Sequence, residues 1–589
     1  MDWADGPFVF RINDNGIGPN LLLQVCLERG WREHSESGVV KDNWNLWWRT
    51  TGFPMSHYKQ LKPWQYTNHI PKGSSICRKD HLARYLRCMK KVYGSIFDFS
   101  PPCYQLPLEY TKLLAECSGS NRNNGRVRSG SFHCLEPPEE QLVWICKPVG
   151  QSQGRGIFLF REFSELNYAS SAVVQKYVTN PLLIGGYKFD LRLYACIPSF
   201  RPLCVYLYRE GLVRFATDKF SLADLNNLFR HLTNSSLNRL GPGYTRQKER
   251  VGAGCKWSLK QLRHYLNQSG ESDWLLWQKI ASIVALTVLA QNASAPPPPA
   301  PNCFEFYGFD ILVDTSLRPW LLEVNLSPAL GADSDVDAAV KKPMLHDMFD
   351  LMGMPVSHTG LSMFTSWQPP QDDSTSDSED CTICSSMGNR WMQRKSRSRA
   401  KVPAQRFHSA RPRLQRVRSL SIVTGEDESE GAPPSRWAKE DVGPVKVVPS
   451  TRWSRQQPQN MPASVMSSSS FLTSIKLIFF PCQNKTVWGN GRDWRDAPPK
   501  DGDWVRVFPI GFSSNVKKKV QYVDHAAEIK AAVADVHRFS KAAKEAAKLV
   551  EVEAETGKTR ACFNDRVFNE ALRGILGPEY TGEVWLPPK

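Results

Sequence analysis

Residues 303–325, CFEFYGFDILVDTSLRPWLLEVN, constrain the fold more than any other stretch of the chain. Two runs rich in aromatic and branched residues, 306–313 and 320–324, flank a polar break. That pattern predicts two strands joined by a short loop. With Val313 and Trp320 as the last paired residues, Asp310 falls opposite Glu323. Side chains alternate along a strand, so Asn325 shares the face of Glu323. Two carboxylates and an amide oxygen then converge on one patch. Directly opposed like charges destabilise a sheet unless something neutralises them. Oxygen ligands of this kind suit a hard cation shared with substrate phosphates, which points to Mg2+. A solvated sheet face is the plainer alternative.

The chain of 589 residues has room for three or four domains. Its hydrophobic content of 41% supports a sizeable core. The net charge of +17 favours an acidic partner, nucleic acid or a membrane surface without choosing among them. The tract from Cys381 to Gly425 holds 11 Lys or Arg and no acid, so it supplies 11 of that +17 and the remainder carries +6. Fifteen Cys at irregular spacing predict reduced thiols in an intracellular compartment. Cys381 and Cys384 form a single CxxC with no second pair at zinc spacing. Acidic residues at 2 and 5 argue against a signal peptide. The most apolar helical run, 280–290, is too short to span a bilayer.

In chain order, residues 7–11 predict a strand and 21–28 a helix, the opening of a small α/β domain. Residues 116–134 predict an exposed loop. LVWICKPV is a strand with Lys147 near its end, followed by the Gly-rich turn QSQGRG and a second strand, GIFLF. Backbone N–H groups in such a turn can close over phosphates, although the GK[ST] ending of a Walker loop is missing. PLLIGGYKFDLRLYACI alternates, with Lys188, Asp190 and Arg192 on one face and Phe189, Leu191 and Leu193 on the other. Arg214 sits in a following hairpin strand, HLTN occupies 231–234, and Lys256 follows a flexible turn. Residues 274–290 predict a buried helix, and 335–352 a helix containing Lys341. The composition of 360–469 predicts disorder. The chain from 470 to 589 reads as a tail with an amphipathic helix near 526–553. The expected division is therefore 1–115, 135–200, 201–355, 360–469 and 470–589.

KPVGQSQGRGI, QKYV, PLLIGGYKFDLRLY, HLTN, FEFYGFDILVD and RPWLLEVNLSPAL, in that order, resemble the tubulin tyrosine ligase-like family and, within it, the polyglutamylases. NWNLWWR and NHIPKG are similar to further family landmarks. The resemblance spans roughly residues 5–355. It implies an α+β fold with an ATP-grasp core behind a small N-terminal α/β domain. It also implies an ATP- and Mg2+-dependent ligase that joins free glutamate to glutamate side chains in tubulin tails.

By that resemblance Asp310, Glu323 and Asn325 hold the metal. Lys147 and Lys188 contact phosphates, and Lys188, Arg192 and Glu323 are the catalytic group. Gln153, Gly154, Arg155, Gly156 and Ile157 cover the triphosphate. Gln175, Lys176, Tyr177 and Val178 face adenine, Asp190 sits at the nucleotide, and Thr233 and Asn234 lie beside phosphates and metal. Arg214, Lys256 and Lys341 bind the donor's carboxylates. Family members usually carry an aromatic residue after HLTN; Ser235 and Ser236 stand there instead and reshape the expected donor pocket.

The implied partners are microtubules and free glutamate, with no nucleic acid and no membrane, for a monomer on the cytoplasmic cytoskeleton, cilium or basal body. The basic tract at 381–425 is expected to capture acidic tubulin tails at long range. A glycylase or other amino-acid ligase of the family, a catalytically inactive microtubule binder, and a nucleic-acid binder are the competing readings.

Overall fold

The computed structural model describes residues 8–35, 43–124, 142–151, 153–168, 171–241, 254–294, 297, 300, 302–356, 493–512, 525–555 and 564–589. The predicted basic tract and its CxxC lie outside these residues, as does the rest of the stretch expected to be disordered.

The first sheet is small and parallel. Its strands are β1 (Val9–Ile12), β2 (Arg32–Glu33), β3 (Leu46–Trp48) and β4 (Tyr66–Thr67), in the order β2-β1-β3-β4. The helix Asn20–Glu28 buries Leu21, Leu22, Val25 and Cys26 against it, as the apolar run there predicts. The second sheet is antiparallel: β5 (Cys103–Leu106), β6 (Trp144–Pro148), β7 (Phe158–Phe160) and β8 (Ala172–Lys176), in the order β5-β8-β6-β7. Residues 116–124 do not form the expected loop, because the helix Tyr110–Asn124 runs through them.

The third and largest sheet is built on one 14-residue strand, β10 (Tyr187–Phe200), which follows β9 (Leu183–Ile184). Nine strands belong to this sheet among the described residues. One edge of β10 pairs first with β12 (Leu212–Phe215) and then with β11 (Leu203–Tyr208). Strand β13 (Lys256–Ser258) extends the β12 side. The other edge pairs with β14 (Glu305–Val313), which pairs in turn with β15 (Pro319–Asn325). Phe189, Leu191 and Leu193 enter the main core, while Lys188, Asp190 and Arg192 line a cleft.

The hairpin β14–β15 carries a register shift that alternation alone did not predict. Its last pair is Val313 with Pro319, not Trp320. A bulge between Asp310 and Ile311 takes up one extra residue on β15, so Ile311 pairs with Leu321 and Asp310 still faces Glu323.

The helix Trp274–Ser294 is longer than the run seen in the sequence. It has 21 residues and is long and apolar enough to cross a membrane by length and composition. Here it lies within the protein core, with 16 of its residues buried. The C-terminal part of the chain covers it. Helix His525–Glu555 packs along it, and helix Asp565–Leu576 packs on that one. Strands β16 (Lys500–Asp501) and β17 (Trp504–Phe508) join the main sheet beside β11. The described residues between 493 and 589 therefore contribute two sheet strands and much of the core, which the expectation of a tail did not include. Trp585 is buried, donates to the Tyr208 carbonyl at 3.1 Å, and accepts from Gln278 through its own carbonyl at 2.8 Å.

Candidate active site

The strand register arranges charge in two rows across the main sheet. Lys256, Arg214 and Asp190 are cross-strand neighbours on β13, β12 and β10. Arg192, Asp310 and Glu323 are neighbours on β10, β14 and β15. Each row sets one pair of opposite charges directly across the sheet, which attract, beside one pair of like charges, Lys256 with Arg214 and Asp310 with Glu323. Arg192 grips Asp310 with two bonds, Nε to Oδ1 at 2.6 Å and Nη2 to Oδ2 at 3.0 Å. Arg214 grips Asp190 through Nε and Nη2, with the Nε bond at 2.8 Å, and its Nη2 also reaches Asp310 at 2.9 Å. Close backbone approach is required at Gly308. A Cβ there would sit 2.8 Å from Pro328 Cβ and 3.3 Å from Arg192 Cδ, so a side chain would displace the guanidinium.

Asp310 and Glu323 are neighbours with opposite titration behaviour. Burial alone would raise Asp310, but Arg192 and Arg214 more than offset it and hold the carboxyl well below its usual range. Glu323 has no comparable partner, so burial and the Asp310 charge push it up. Asn325 donates through Nδ2 to Asp310 at 3.3 Å, which leaves its amide oxygen for a cation. One neutralised and one under-neutralised carboxylate plus an amide fit a hard divalent ion. Among the described residues no three acidic, imidazole or thiol side chains converge on a point. Such an ion would therefore need further oxygens from a substrate, the usual situation for Mg2+.

The opposite wall belongs to the second sheet. Lys147 leaves β6 and donates to Gln175 Oε1 on β8 at 2.7 Å; burial lowers its pKa. Between β6 and β7 the Gly-rich turn passes through positive φ at Gln153, Gly154 and Gly156. Gly154 supplies that conformation close to Asn234 and Leu232, whose side chains lie 3.6 Å from where its Cβ would be. Lys79 ties the turn down by donating to the Gln151 carbonyl at 2.9 Å.

A further chain of bonds joins the two walls. Lys188 Nζ donates to Tyr177 Oη at 2.8 Å and to the His231 carbonyl at 2.9 Å. His231 Nε2 lies 2.9 Å from the Asp224 carbonyl, which can only accept, so this nitrogen carries the proton. His231 Nδ1 then accepts from Tyr177 Oη at 3.2 Å. Burial, reinforced by Lys147, lowers Lys188 to about 7. A phosphate there would supply the missing negative charge.

Most of these groups line one cleft of about 610 Å³, within the size range of small-molecule and cofactor sites. Of the residues singled out in the sequence, Lys147, Gln153, Gly154, Arg155, Ile157, Gln175, Lys176, Tyr177, Val178, Lys188, Asp190, Arg192, Arg214, Thr233, Asn234, Ser235, Ser236, Lys256, Asp310, Glu323, Asn325 and Lys341 line it. Gly156 does not; it turns the loop behind its neighbours, against Gln151 and Pro148. Two expectations change in detail. The Lys176 and Tyr177 amides donate to the Pro102 and Val143 carbonyls, so neither can donate to a purine. Asp190 lines the cleft already paired in two bonds with Arg214, which neutralises its charge.

Sequence reasoning missed Asp337. This fully buried carboxylate holds both Lys256, at 2.6 Å, and Lys341, at 2.8 Å. It stands three residues after Ser334, whose Oγ accepts from the Asp337 amide at 3.3 Å at the helix N-terminus. The pattern Ser-x-x-Asp, with Lys four residues further on, was the available signal. The Arg239–Asp333 ion pair was missed as well.

The model of the tubulin-tyrosine ligase family matches residues 56–360. "Probable tubulin polyglutamylase TTLL2" of Homo sapiens is 45% identical over 347 residues, covering 59% of this chain and 56% of that protein. Its Mus musculus counterpart is also 45% identical, with 61% of its length covered. "Tubulin polyglutamylase TTLL5" of Mus musculus is 33% identical over 344 residues, 56% of this chain and 24% of that protein. The matched region thus spans little more than half of the first two relatives. Sheets facing each other across a charged cleft form an ATP-grasp-like core, the fold of this family's domain. The matched stretch exceeds half of the sequence, and the chain belongs to the tubulin-tyrosine ligase family.

Proposed function

We propose that this chain is an ATP-dependent carboxylate–amine ligase that adds glutamate to γ-carboxylates of glutamate side chains in tubulin tails. The observation that carries this reading is the Asp310–Glu323–Asn325 patch set between two phosphate-side lysines, half-buried Lys147 and buried Lys188, and a cationic donor end. Relatives named tubulin polyglutamylases, at 33–45% identity, support the choice of glutamate and tubulin.

In the reaction the ATP γ-phosphoryl passes to the acceptor carboxylate, giving ADP and an acyl phosphate. The α-amine of free glutamate then attacks the acyl carbon. A C–N bond forms, the C–O bond to phosphate breaks, and phosphate departs. Such chemistry needs positioning and charge neutralisation more than a protein nucleophile. Lys147 and Lys188 neutralise phosphate oxygens, and Gln153 to Ile157 close over them. Thr233 and Asn234 orient the triphosphate beside that loop. Asp310, Glu323 and Asn325 would hold Mg2+, which would supply the remaining positive charge. Arg192 fixes Asp310 in place. Arg214, Lys256 and Lys341, with Ser235 and Ser236, receive the donor amino acid. The working location is the microtubule cytoskeleton, including cilia.

Purified protein with Mg-ATP, microtubules and each labelled amino acid in turn tests the proposal. Glutamate should be incorporated in preference to glycine or tyrosine, and only with ATP present. Preferred incorporation of glycine would make the chain a glycylase. No incorporation of any amino acid, despite ATP binding, would reduce it to a microtubule binder.

A further inference from the structure

Two cavities meet at the donor end of the cleft. The larger is the 610 Å³ cleft. The smaller is only about 10 Å³, and Arg214, Thr233, Ser235, Arg239, Lys256 and Asp333 line both. A space of that size holds about one water molecule and cannot admit an amino acid. Both partners of the Arg239–Asp333 ion pair line both cavities. Arg239 follows the short helix Ser235–Asn238, and Asp333 precedes helix Asp335–Leu351, so the pair joins two segments 94 residues apart.

This pair differs from its neighbours in exposure. Arg239 and Asp333 are 47% and 42% exposed, whereas Arg214 and Asp190 are 8% and 4%. Ion pairs as open as the first contribute little net stability and part readily. Asp333 has a second cation in reserve, Lys256 Nζ at 4.0 Å. Lys256 itself is held by Asp337 at 2.6 Å.

We infer that Arg239 and Asp333 form the subsite for the backbone zwitterion of the incoming amino acid. An α-amino acid carries one carboxylate and one ammonium on the same carbon. Inserted between the pair, its carboxylate takes the guanidinium and its ammonium takes the Asp333 carboxylate. Each protein charge exchanges one opposite partner for another, so no charge is left unpaired on binding. The ion pair of the free protein stands in for the ligand. The donor's side chain then points toward Lys256 and Lys341. The subsite rests on the ligase reading above, but it concerns only what every α-amino acid shares.

The test uses the full chain with Mg2+ and a non-hydrolysable ATP analogue. Equilibrium dialysis compares L-glutamate with 2-hydroxyglutarate, which lacks the ammonium, and 4-aminobutyrate, which lacks the α-carboxylate. Wild type should bind glutamate at least about tenfold more tightly than either analogue, the scale of one charge-assisted bond. Asp333→Asn should erase the advantage over 2-hydroxyglutarate while leaving 2-hydroxyglutarate affinity unchanged. Arg239→Gln should erase the advantage over 4-aminobutyrate. Binding of the ATP analogue should be unchanged in both. Wild-type glutamate affinity in the two variants would overturn the inference, as would an equal loss for all three compounds. If wild type prefers glycine, the glutamate assignment falls while the subsite stands, and glycolate and methylamine replace the analogues. A wild-type chain that binds the nucleotide but no amino acid overturns the ligase reading itself.

Discussion

Two buried arginines, Arg214 and Arg263, each bind two carboxylates, yet they sit in different kinds of surroundings. Arg263 reaches Asp273 at 2.8 Å and Asp565 at 2.6 Å, and donates to the Pro587 carbonyl at 2.6 Å. Trp277 and Trp274 donate to the same two acids, at 2.8 and 3.0 Å. That node joins helix Leu259–Gln268 to the C-terminal segment and is closed by its own partners. Arg214 binds Asp190 and Asp310, but its node opens onto the cleft. The cleft it opens onto is lined by eleven Lys or Arg side chains and only five carboxylates, Asp190, Asp310, Glu323, Asp333 and Asp337. A closed node holds elements together. A node with surplus positive charge and one under-neutralised acid is prepared for an anion and a cation that arrive together.

The comparison can be broken at either node, and the largest effect is expected in the cleft. Glu323→Gln removes one charge and keeps the shape, so ATP-dependent ligation should fall at least about a hundredfold, as loss of a metal ligand implies. The melting temperature should not fall, because a buried like-charge contact is relieved. Wild-type rates in this variant would remove Glu323 from the metal site. At the closed node, Arg263→Ala leaves Asp273 buried without its cation, with a loss of about 3–5 kcal/mol. Urea unfolding would register this as a lower midpoint, while the ligation rate per folded molecule stays near wild type. A large rate loss with unchanged stability would mean the two nodes are not separate.

The smallest effect sharpens the comparison through pH. Asp347 accepts from the Asp503 amide at 3.0 Å and holds the β16–β17 turn against helix Asp335–Leu351. Burial raises its carboxyl from 3.8 to about 6. The fold favours the neutral acid, so that contribution to stability is complete below about pH 4 and disappears as the pH rises through 6. Asp347→Asn is neutral throughout and should flatten this part of the curve. Urea midpoints at half-unit steps from pH 4 to 7 would settle it, and an unchanged slope would exclude Asp347 as the cause.

Much of the cleft was legible because its residues lie on strands with clear alternation. Lys188, Asp190 and Arg192 share a face for that reason alone, and Asp310 faces Glu323 because two apolar runs bracket one turn. The bulge beside Asp310 was not legible, since apolar alternation says nothing of where an extra residue is absorbed. The local pattern hinted at Asp337 and Lys341, but its bond to Lys256, 81 residues away, is made only by the fold. Arg214 looked like a free donor-side cation because the register that sets it against Asp190 and Asp310 depends on three strands at once. Strand β17 was missed for a similar reason: it is five residues long and its partner β11 lies some 300 residues earlier.

The placement of β17 has a consequence for how the protein can be divided. The stretch that matches the family ends at 360, but the sheet built on β10 does not end there. A recombinant fragment cut at that boundary would leave the outer edge of β11 unpaired and strip the cover from helix Trp274–Ser294. An open, apolar sheet edge is a template for joining other chains. Such a fragment would retain every residue proposed for catalysis and still be prone to aggregate. Ancestry and cooperative folding draw different borders in this molecule, and expression of a soluble protein should follow the second.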